Sequence, residues 1–259
     1  MTVACVILAG STPNQVNPVA EYAGVDQKAL VPIAGKPMIS YVVEAVTSAT
    51  KVKKTIIVGL RGSIDQLNSL PVEYLPGEDK ILKNIIIGVK YILANYKEID
   101  RILFTMCDVP LLTSEMVDWF IEECSQRKGD YFWAMVEKTT MEKRFPGAGR
   151  TYTRLTDGRF CSGDLFMVST KVMQKSNLKL WDHFIESRKQ WWRMALVFEF
   201  STLIRLLLGR ISIDGLGQAF GKAFNITTTI IVSPYAGHGM DVDKPYQLEL
   251  VRAAFEDVG

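Results

Sequence analysis

Residues 3–13 read VACVILAGSTP, and that stretch decides the fold. Val3 to Ala9 is an unbroken apolar run, closed by Gly10, Ser11, Thr12 and Pro13. A strand with one wet face alternates apolar and polar residues. A strand without alternation is covered on both faces, as in a parallel sheet with helices above and below. The run has no basic leader and no small-residue cleavage site, so it reads as a first strand and not as a signal peptide.

Working outward, the same alternation of elements returns. Gly35-Lys36-Pro37 precedes Met38, Tyr41, Val42, Ala45 and Val46, apolar residues three and four apart behind a proline, which predicts a helix. Thr55–Leu60 and Val72–Leu75 predict strands, the second ending at Pro76-Gly77. Lys80–Ala94 carries Ile81, Ile85, Val89 and Ile92 at helical spacing. Arg101–Met106 predicts a strand that runs into Cys107-Asp108-Val109-Pro110, after which Thr113 can cap a helix through Met116 and Phe120. Tyr131–Val136 predicts a further strand. Strand and helix in turn predict an α/β fold, three layers (α/β/α) around a mostly parallel sheet.

The pattern changes over Lys143 to Gly163, where Gly, Arg and Thr replace any helical stripe. Thr151–Leu155, Asp157-Gly158 and Arg159–Cys161 predict a hairpin or a long functional loop. Leu165–Ser169 and Thr227–Ser233 predict strands, and Pro245 opens a terminal helix through Leu248, Val251 and Phe255. Lys171 to Phe224 reads as largely helical. The expectation is one domain over residues 1–259 with a helical insertion at 171–225.

Composition removes several classes. The 259 residues carry 30 Lys and Arg against 28 Asp and Glu, a net charge of +2, with 48% apolar and 22% charged residues. These are ordinary globular values, not those of a disordered, collagenous or coiled-coil chain. So even a balance gives no electrostatic case for nucleic acid as a partner. Cys5, Cys107, Cys124 and Cys161 lie far apart with no CxxC pair, which predicts buried reduced thiols in a cytoplasmic protein, neither a disulfide framework nor a zinc site. Met194 to Ile213 is Leu-rich, but Glu199, Arg205 and Arg210 break its charge-free length and Gly209 interrupts it, so no transmembrane segment is expected. The Leu-rich helices at 194–220 read first as the core of the insertion. A homodimer face, or a lid over a lipid-like acceptor, is the alternative.

Ligands of open α/β sheets sit beyond the carboxyl ends of the strands, and three segments fall there. In the loop from Gly10 to Lys28, the glycine lets backbone N–H groups approach a phosphate and Lys28 supplies a point charge. Asp108, at the end of an apolar run, is placed to hold Mg2+. In Met240-Asp241-Val242-Asp243-Lys244-Pro245, two carboxylates at i and i+2 point the same way in extended chain. One of them can complete a divalent site with Asp108, while the other caps the terminal helix. Lys143, Arg144, Arg150, Arg154 and Arg159 crowd Gly147-Ala148-Gly149, a set suited to an anionic acceptor under a closing loop, or else a solvated basic hairpin. His183 and His238 have no serine or cysteine partner at signature spacing.

Taken together, V-I-L-A-G, Q-K-A-L-V-P-I-A-G-K-P-M, M-C-D-V-P and D-V-D-K-P resemble the nucleotidyltransferase superfamily, nearest its MobA-like NTP transferase branch. The resemblance covers roughly residues 1–170 and 226–259. It implies a Rossmann-like fold of the nucleotide-diphospho-sugar transferase type. It implies an enzyme that moves a nucleoside monophosphate from a nucleoside triphosphate to a phosphorylated small molecule, releasing pyrophosphate, with Mg2+ as cofactor. On this likeness Lys28 and Asp108 are the catalytic residues, and Asp108 and Asp243 hold the metal. Leu8, Ala9, Gly10, Ser11 and Thr12 would lie against the nucleotide; Pro76-Gly77 would meet base or ribose, with Asn84 facing the same pocket. Arg150, Gly163 and Asp164 would line the acceptor side. The family's first loop usually has paired glycines and a Gly-x-Arg; here residues 11–27 hold no Lys or Arg, which leaves phosphate to backbone N–H groups, Ser11, Thr12, Lys28 and the metal. The rival readings are a glycosyltransferase using a nucleotide-sugar donor, which releases no pyrophosphate, and a non-catalytic nucleotide-binding protein. A dinucleotide-binding dehydrogenase fits less well, since no G-x-G-x-x-G follows the first strand.

Overall fold

A computed structural model describes residues 1–10, 16–62, 64, 67, 69–175 and 198–256. Ser11 and Thr12 lie outside the described residues, as does the 176–197 part of the expected insertion with Trp181, His183, Trp191 and Trp192.

Strand β1 (Val3–Leu8) is buried at every position, as its unbroken apolar run requires. Its residues divide by parity. Val3, Cys5 and Ile7 pack with helices α2 (Met38–Ser48) and α4 (Ser114–Ser125), while Ala4, Val6 and Leu8 pack with α3 (Ile81–Asn95) on the opposite face. Two-sided burial is what removed polar residues from the run. Gly88 lets α3 come close, since a Cβ there would stand 2.8 Å from a Val6 methyl. Thr113 caps α4 as expected, its side chain accepting from Met116 N at 3.3 Å.

The sheet has eight strands. Seven follow the order β10 (Thr228–Ser233), β7 (Tyr131–Glu137), β9 (Gly158–Ser169), β6 (Arg101–Met106), β1, β4 (Val52–Val58), β5 (Val72–Leu75), and β8 (Thr153–Leu155) pairs with β9. β2 (Pro32–Ile33) and β3 (Lys36–Pro37) form a separate two-stranded ribbon. β1 is parallel to β4 and to β6, and β4 is parallel to the edge strand β5. β10 is parallel to β7. The exception is β9, antiparallel to both β6 and β7, which bridges the two parallel sets and turns back from β8 in the expected hairpin. Part of the expected loop is helical: α5 (Lys138–Arg144) buries only Met141, too little apolar surface to print a stripe.

Within 171–225 the described elements are α6 (Thr170–Lys175), α7 (Phe200–Leu207) and α8 (Ile213–Phe224), with a break at Gly209, whose φ is +63°. α8 is no appendage. Phe220 stacks on Tyr131 with centroids 5.2 Å apart, and Gly217 and Gly221 bring the helix against the Thr228 and Ile226 carbonyls. α7 leaves Ile204, Leu207 and Leu208 exposed. All four cysteines are buried and free. Among the described residues no helix is long and apolar enough to cross a membrane.

Candidate active site

The register of the parallel strands sets Leu8 beside Val58 and Met106, and Val58 beside Leu75. Four strand ends therefore deliver their loops to one edge: Ala9-Gly10, Gly59, Pro76-Gly77 and Cys107-Asp108. Three glycines stack there. A Cβ on Gly59, whose φ is +90°, would lie 2.6 Å from the Gly10 Cα; one on Gly77 would lie 2.4 Å from the Gly59 Cα. Behind Gly10 stands Asn84, with its Nδ2 2.3 Å from where a Gly10 Cβ would be. Asn84 is buried and spends its amide on the Glu78 backbone, accepting from N at 2.7 Å and donating to O at 3.2 Å. Asn84 and Gly77 thus support the Gly10 turn from behind. Spacing gave no hint of Gly59, since nothing in a linear sequence says that residue 59 meets residue 10.

Lys28 begins a single 3-10 turn, Lys28–Leu30, pinned by the buried Ala29. A two-residue turn with positive φ at Ala34 and Gly35 then sends the chain back toward α2. Gln27 fixes the turn from the other side, donating to Arg61 O at 2.7 Å and accepting from Arg61 N at 3.0 Å. The lysine therefore enters between Asp108 and Asp243. Its Nζ is 2.6 Å from Asp243 Oδ1 and in direct contact with Asp108 Oδ2. The two carboxylates, 135 residues apart, converge on the Lys28 ammonium, which stands between them where the sequence reading put a metal ion. Their surroundings differ: the Asp108 side chain is 11% exposed and that of Asp243 61%. Burial opposes the charge on Lys28, but the two carboxylates outweigh it and hold the ammonium charged well above the ordinary lysine range.

These groups line a cleft of about 520 Å3 together with Leu8, Ala9 and Gly10. Cys107 lies beside them, but burial, reinforced by Asp108, pushes its thiol up to about 12, so it offers no thiolate at neutral pH. Asp108 Oδ1 is buried without a hydrogen-bond partner. An orphaned carboxylate oxygen is costly, and a hard cation is the ligand that would satisfy it. No group of three or more His, Cys, Asp or Glu gathers among the described residues. A divalent ion held here would take one or two carboxylates and complete its shell from water and phosphate, the manner in which proteins hold Mg2+.

The basic residues of 143–159 do not form one cluster. Lys143 and Arg144 line a second cavity of about 530 Å3 with Leu111, Met116, Phe145 and Tyr235. Arg150 pairs with Asp241, both largely buried. Arg154 and Arg159 sit opposite each other across the β8–β9 hairpin. The Gly147–Gly149 loop is tethered: Gly147 N donates to Glu142 at 3.1 Å, and Ala148 O accepts from Tyr246 at 3.2 Å and from Gln247 at 3.0 Å. Gly163 is buried where a Cβ would stand 3.0 Å from the Ala134 carbonyl and 3.2 Å from that of His238; Asp164, its neighbour on β9, is half-buried. Asp241 thus faces Arg150, and the terminal helix α9 (Pro245–Glu256) has its start held by Gln247, a residue that sequence reading passed over. Gln at the third helical position was the available signal. His238 is buried on Ser233 Oγ at 2.8 Å and stays neutral, burial lowering its pKa to about 4.

The family model of the MobA-like NTP transferase domain matches residues 5–157. No curated protein matches the chain. Among solved structures, a hypothetical transferase from Thermus thermophilus is 28% identical with a TM-score of 0.81, covering 96% of this chain and 100% of that one. CMP:2-keto-3-deoxy-manno-octonic acid synthetase complexed with CTP has a TM-score of 0.61 at 13% identity, over 100% of both chains. The 4-diphosphocytidyl-2C-methyl-D-erythritol synthase of Anaerococcus prevotii has a TM-score of 0.59 at 10% identity, over 98% of this chain and 96% of that one. These last two share the fold. With a match that spans Gly10, Lys28 and Asp108, the chain belongs to the MobA-like NTP transferase domain family, within the nucleotidyltransferases.

Proposed function

We propose that the chain transfers a nucleoside monophosphate from a nucleoside triphosphate to a phosphorylated small molecule, with release of pyrophosphate. The convergence of Asp108, Asp243 and Lys28 at the strand ends carries this reading. An oxygen of the acceptor phosphate bonds to the α-phosphorus, and the bond from that phosphorus to the β-phosphate oxygen breaks. The attacking oxygen is already ionised at neutral pH, so no general base is required, which agrees with a neutral, buried His238. Lys28 has three N–H donors; two meet carboxylates, which leaves one for a phosphate oxygen. Gly10, exposed on the cleft, presents bare backbone on which the nucleotide can lie closely. Mg2+ on Asp108 and Asp243 would neutralise the triphosphate and the charge that builds in the transition state. Lys143 and Arg144, in a cavity with no acidic residue among its described lining, support an anionic acceptor.

The test is a pyrophosphate-release assay across the four nucleoside triphosphates, with Mg2+ and a panel of sugar phosphates and other phosphorylated acceptors. Wild type is expected to release pyrophosphate only when an acceptor is present. Transfer from a nucleotide-sugar without pyrophosphate would replace this reading with glycosyl transfer. Thermal stabilisation by nucleotide with no product from any acceptor would replace it with a binding role.

A further inference from the structure

We infer that Gln247 is a positioning residue for Asp243, and that it locks the metal-binding carboxylate to the loop on the acceptor side of the site. The inference rests on the metal reading above.

Gln247 is the third residue of α9 and is almost fully buried. Its Oε1 accepts from Asp243 N and from Lys244 N, each at 2.9 Å. A glutamine at this position commonly reaches back to the start of its helix. Here the second half of the amide is also engaged: Nε2 donates to Ala148 O at 3.0 Å, 99 residues away in sequence. One side chain thus grips the backbone that carries the Asp243 carboxylate and the carbonyl at the centre of the Gly147–Gly149 loop. Neighbouring contacts repeat the connection. Tyr246 donates to the same Ala148 carbonyl at 3.2 Å, and its ring occupies the space beside Gly149, where φ is +64°. Arg150 pairs with Asp241, two residues before Asp243.

Capping alone needs none of this. The Asp243 side chain is largely exposed, so its own packing does little to hold it. Lys28 holds the tip of the carboxylate at 2.6 Å, and Gln247 holds the backbone from which it projects by taking the Asp243 N–H. Groups that orient a metal ligand without touching the metal typically matter tenfold to a hundredfold in affinity.

The experiment titrates Mn2+ as the metal probe by electron paramagnetic resonance, with nucleoside triphosphate present and no acceptor. Four proteins are compared: wild type, Gln247→Met, Asp243→Asn and the double variant. Gln247→Met keeps the length of the side chain and removes its hydrogen bonds. It is expected to weaken Mn2+ binding about tenfold in wild type, and not further in the Asp243→Asn background, since the effect runs through that carboxylate. Gln247→Glu keeps an oxygen for both N–H groups and should bind Mn2+ within threefold of wild type; if Gln247→Met does not fold, Gln247→Leu, which also removes the hydrogen bonds, replaces it with the same expected tenfold loss. Tyr246→Phe, which removes the other donor to Ala148, should leave Mn2+ binding unchanged. Equal weakening by Gln247→Met in both backgrounds, no weakening at all, or a tenfold loss in folded Gln247→Glu overturns the inference. An unchanged affinity in Asp243→Asn alone would overturn the metal reading itself, and this inference with it.

Discussion

The two cavities at the carboxyl edge of the sheet are nearly equal in size, about 520 and 530 Å3, and opposite in chemistry. The first is lined by Glu21, Asp26, Asp108 and Asp243 against Lys28 and Arg61; the second by Lys143 and Arg144 with no acid among its described lining. One loop serves both: Asp108 lines the first and Leu111 the second, and that loop is tied to the 236–242 segment by Val242 N donating to Asp108 O at 2.9 Å and by Leu111 O lying against Gly237. On the proposed reading the acidic cleft takes an anion only together with a cation and the basic cavity takes an anion directly, so that charge separates the two substrates before shape does.

The largest test of that contrast is Asp108→Ala. It should lower turnover about a thousandfold, the worth of several kcal/mol of charge stabilisation, with the far-ultraviolet circular dichroism unchanged. Full pyrophosphate release by this variant would end the assignment of the acidic cleft. The packing of the 236–239 turn beside the second cavity is tested by pH. Unfolded, His238 takes up a proton near pH 6.5; folded, it stays neutral down to about 4. Between those values the unfolded chain binds more protons, so the contribution is complete above pH 6.5 and is lost as pH falls toward 4. The loss from His238 is about 3 kcal/mol at most. Urea unfolding at pH 7 and pH 4 should show it as a steeper decline in wild type than in His238→Gln.

Two smaller effects sharpen the same division. Gly59→Ala forces a Cβ onto the Gly10 backbone at a φ of +90°. It should cost about 2 kcal/mol of stability, read as a lower urea midpoint, and should weaken nucleotide binding more than acceptor binding. Lys143→Ala, or Arg144→Ala, should raise the acceptor KM about tenfold, the value of one charge-assisted hydrogen bond, with the KM for the triphosphate unchanged. A change in the triphosphate KM alone would exchange the roles of the two cavities.

The half of the molecule around the acidic cleft was legible from sequence, and the other half less so. β1 and β6 are parallel strands covered on both faces, and such segments announce themselves by local composition; β5 is a half-exposed edge strand marked by the Pro76-Gly77 that ends it. Val72–Leu75 and Arg101–Met106 fall where periodicity put them. The chemistry there is legible for a related reason. A carboxylate just past the end of an apolar strand has no packing role to explain it, so Asp108 stands out on its own, whereas Lys28 and Asp243 stand out through the motifs around them. β9 did not stand out as antiparallel, because direction is set by its partners β6 and β7 and leaves no mark on its own residues. Arg150 looked like an acceptor ligand; its partner Asp241 is 91 residues away, and such a distance is closed only by the fold. Gly59 and Gln247 act through backbone atoms of distant residues, which no motif records.

The Gly10–Gly59–Gly77 column restricts how this protein can diverge. Gly77 and Gly59 each meet the main chain of the next glycine and Gly10 meets the Asn84 side chain, so a larger residue at any of the three collides inside the protein and not in the cleft. The loops after β1, β4 and β5 are thereby kept in register, and variation within the cleft falls to rim side chains such as Ile81 and Arg61.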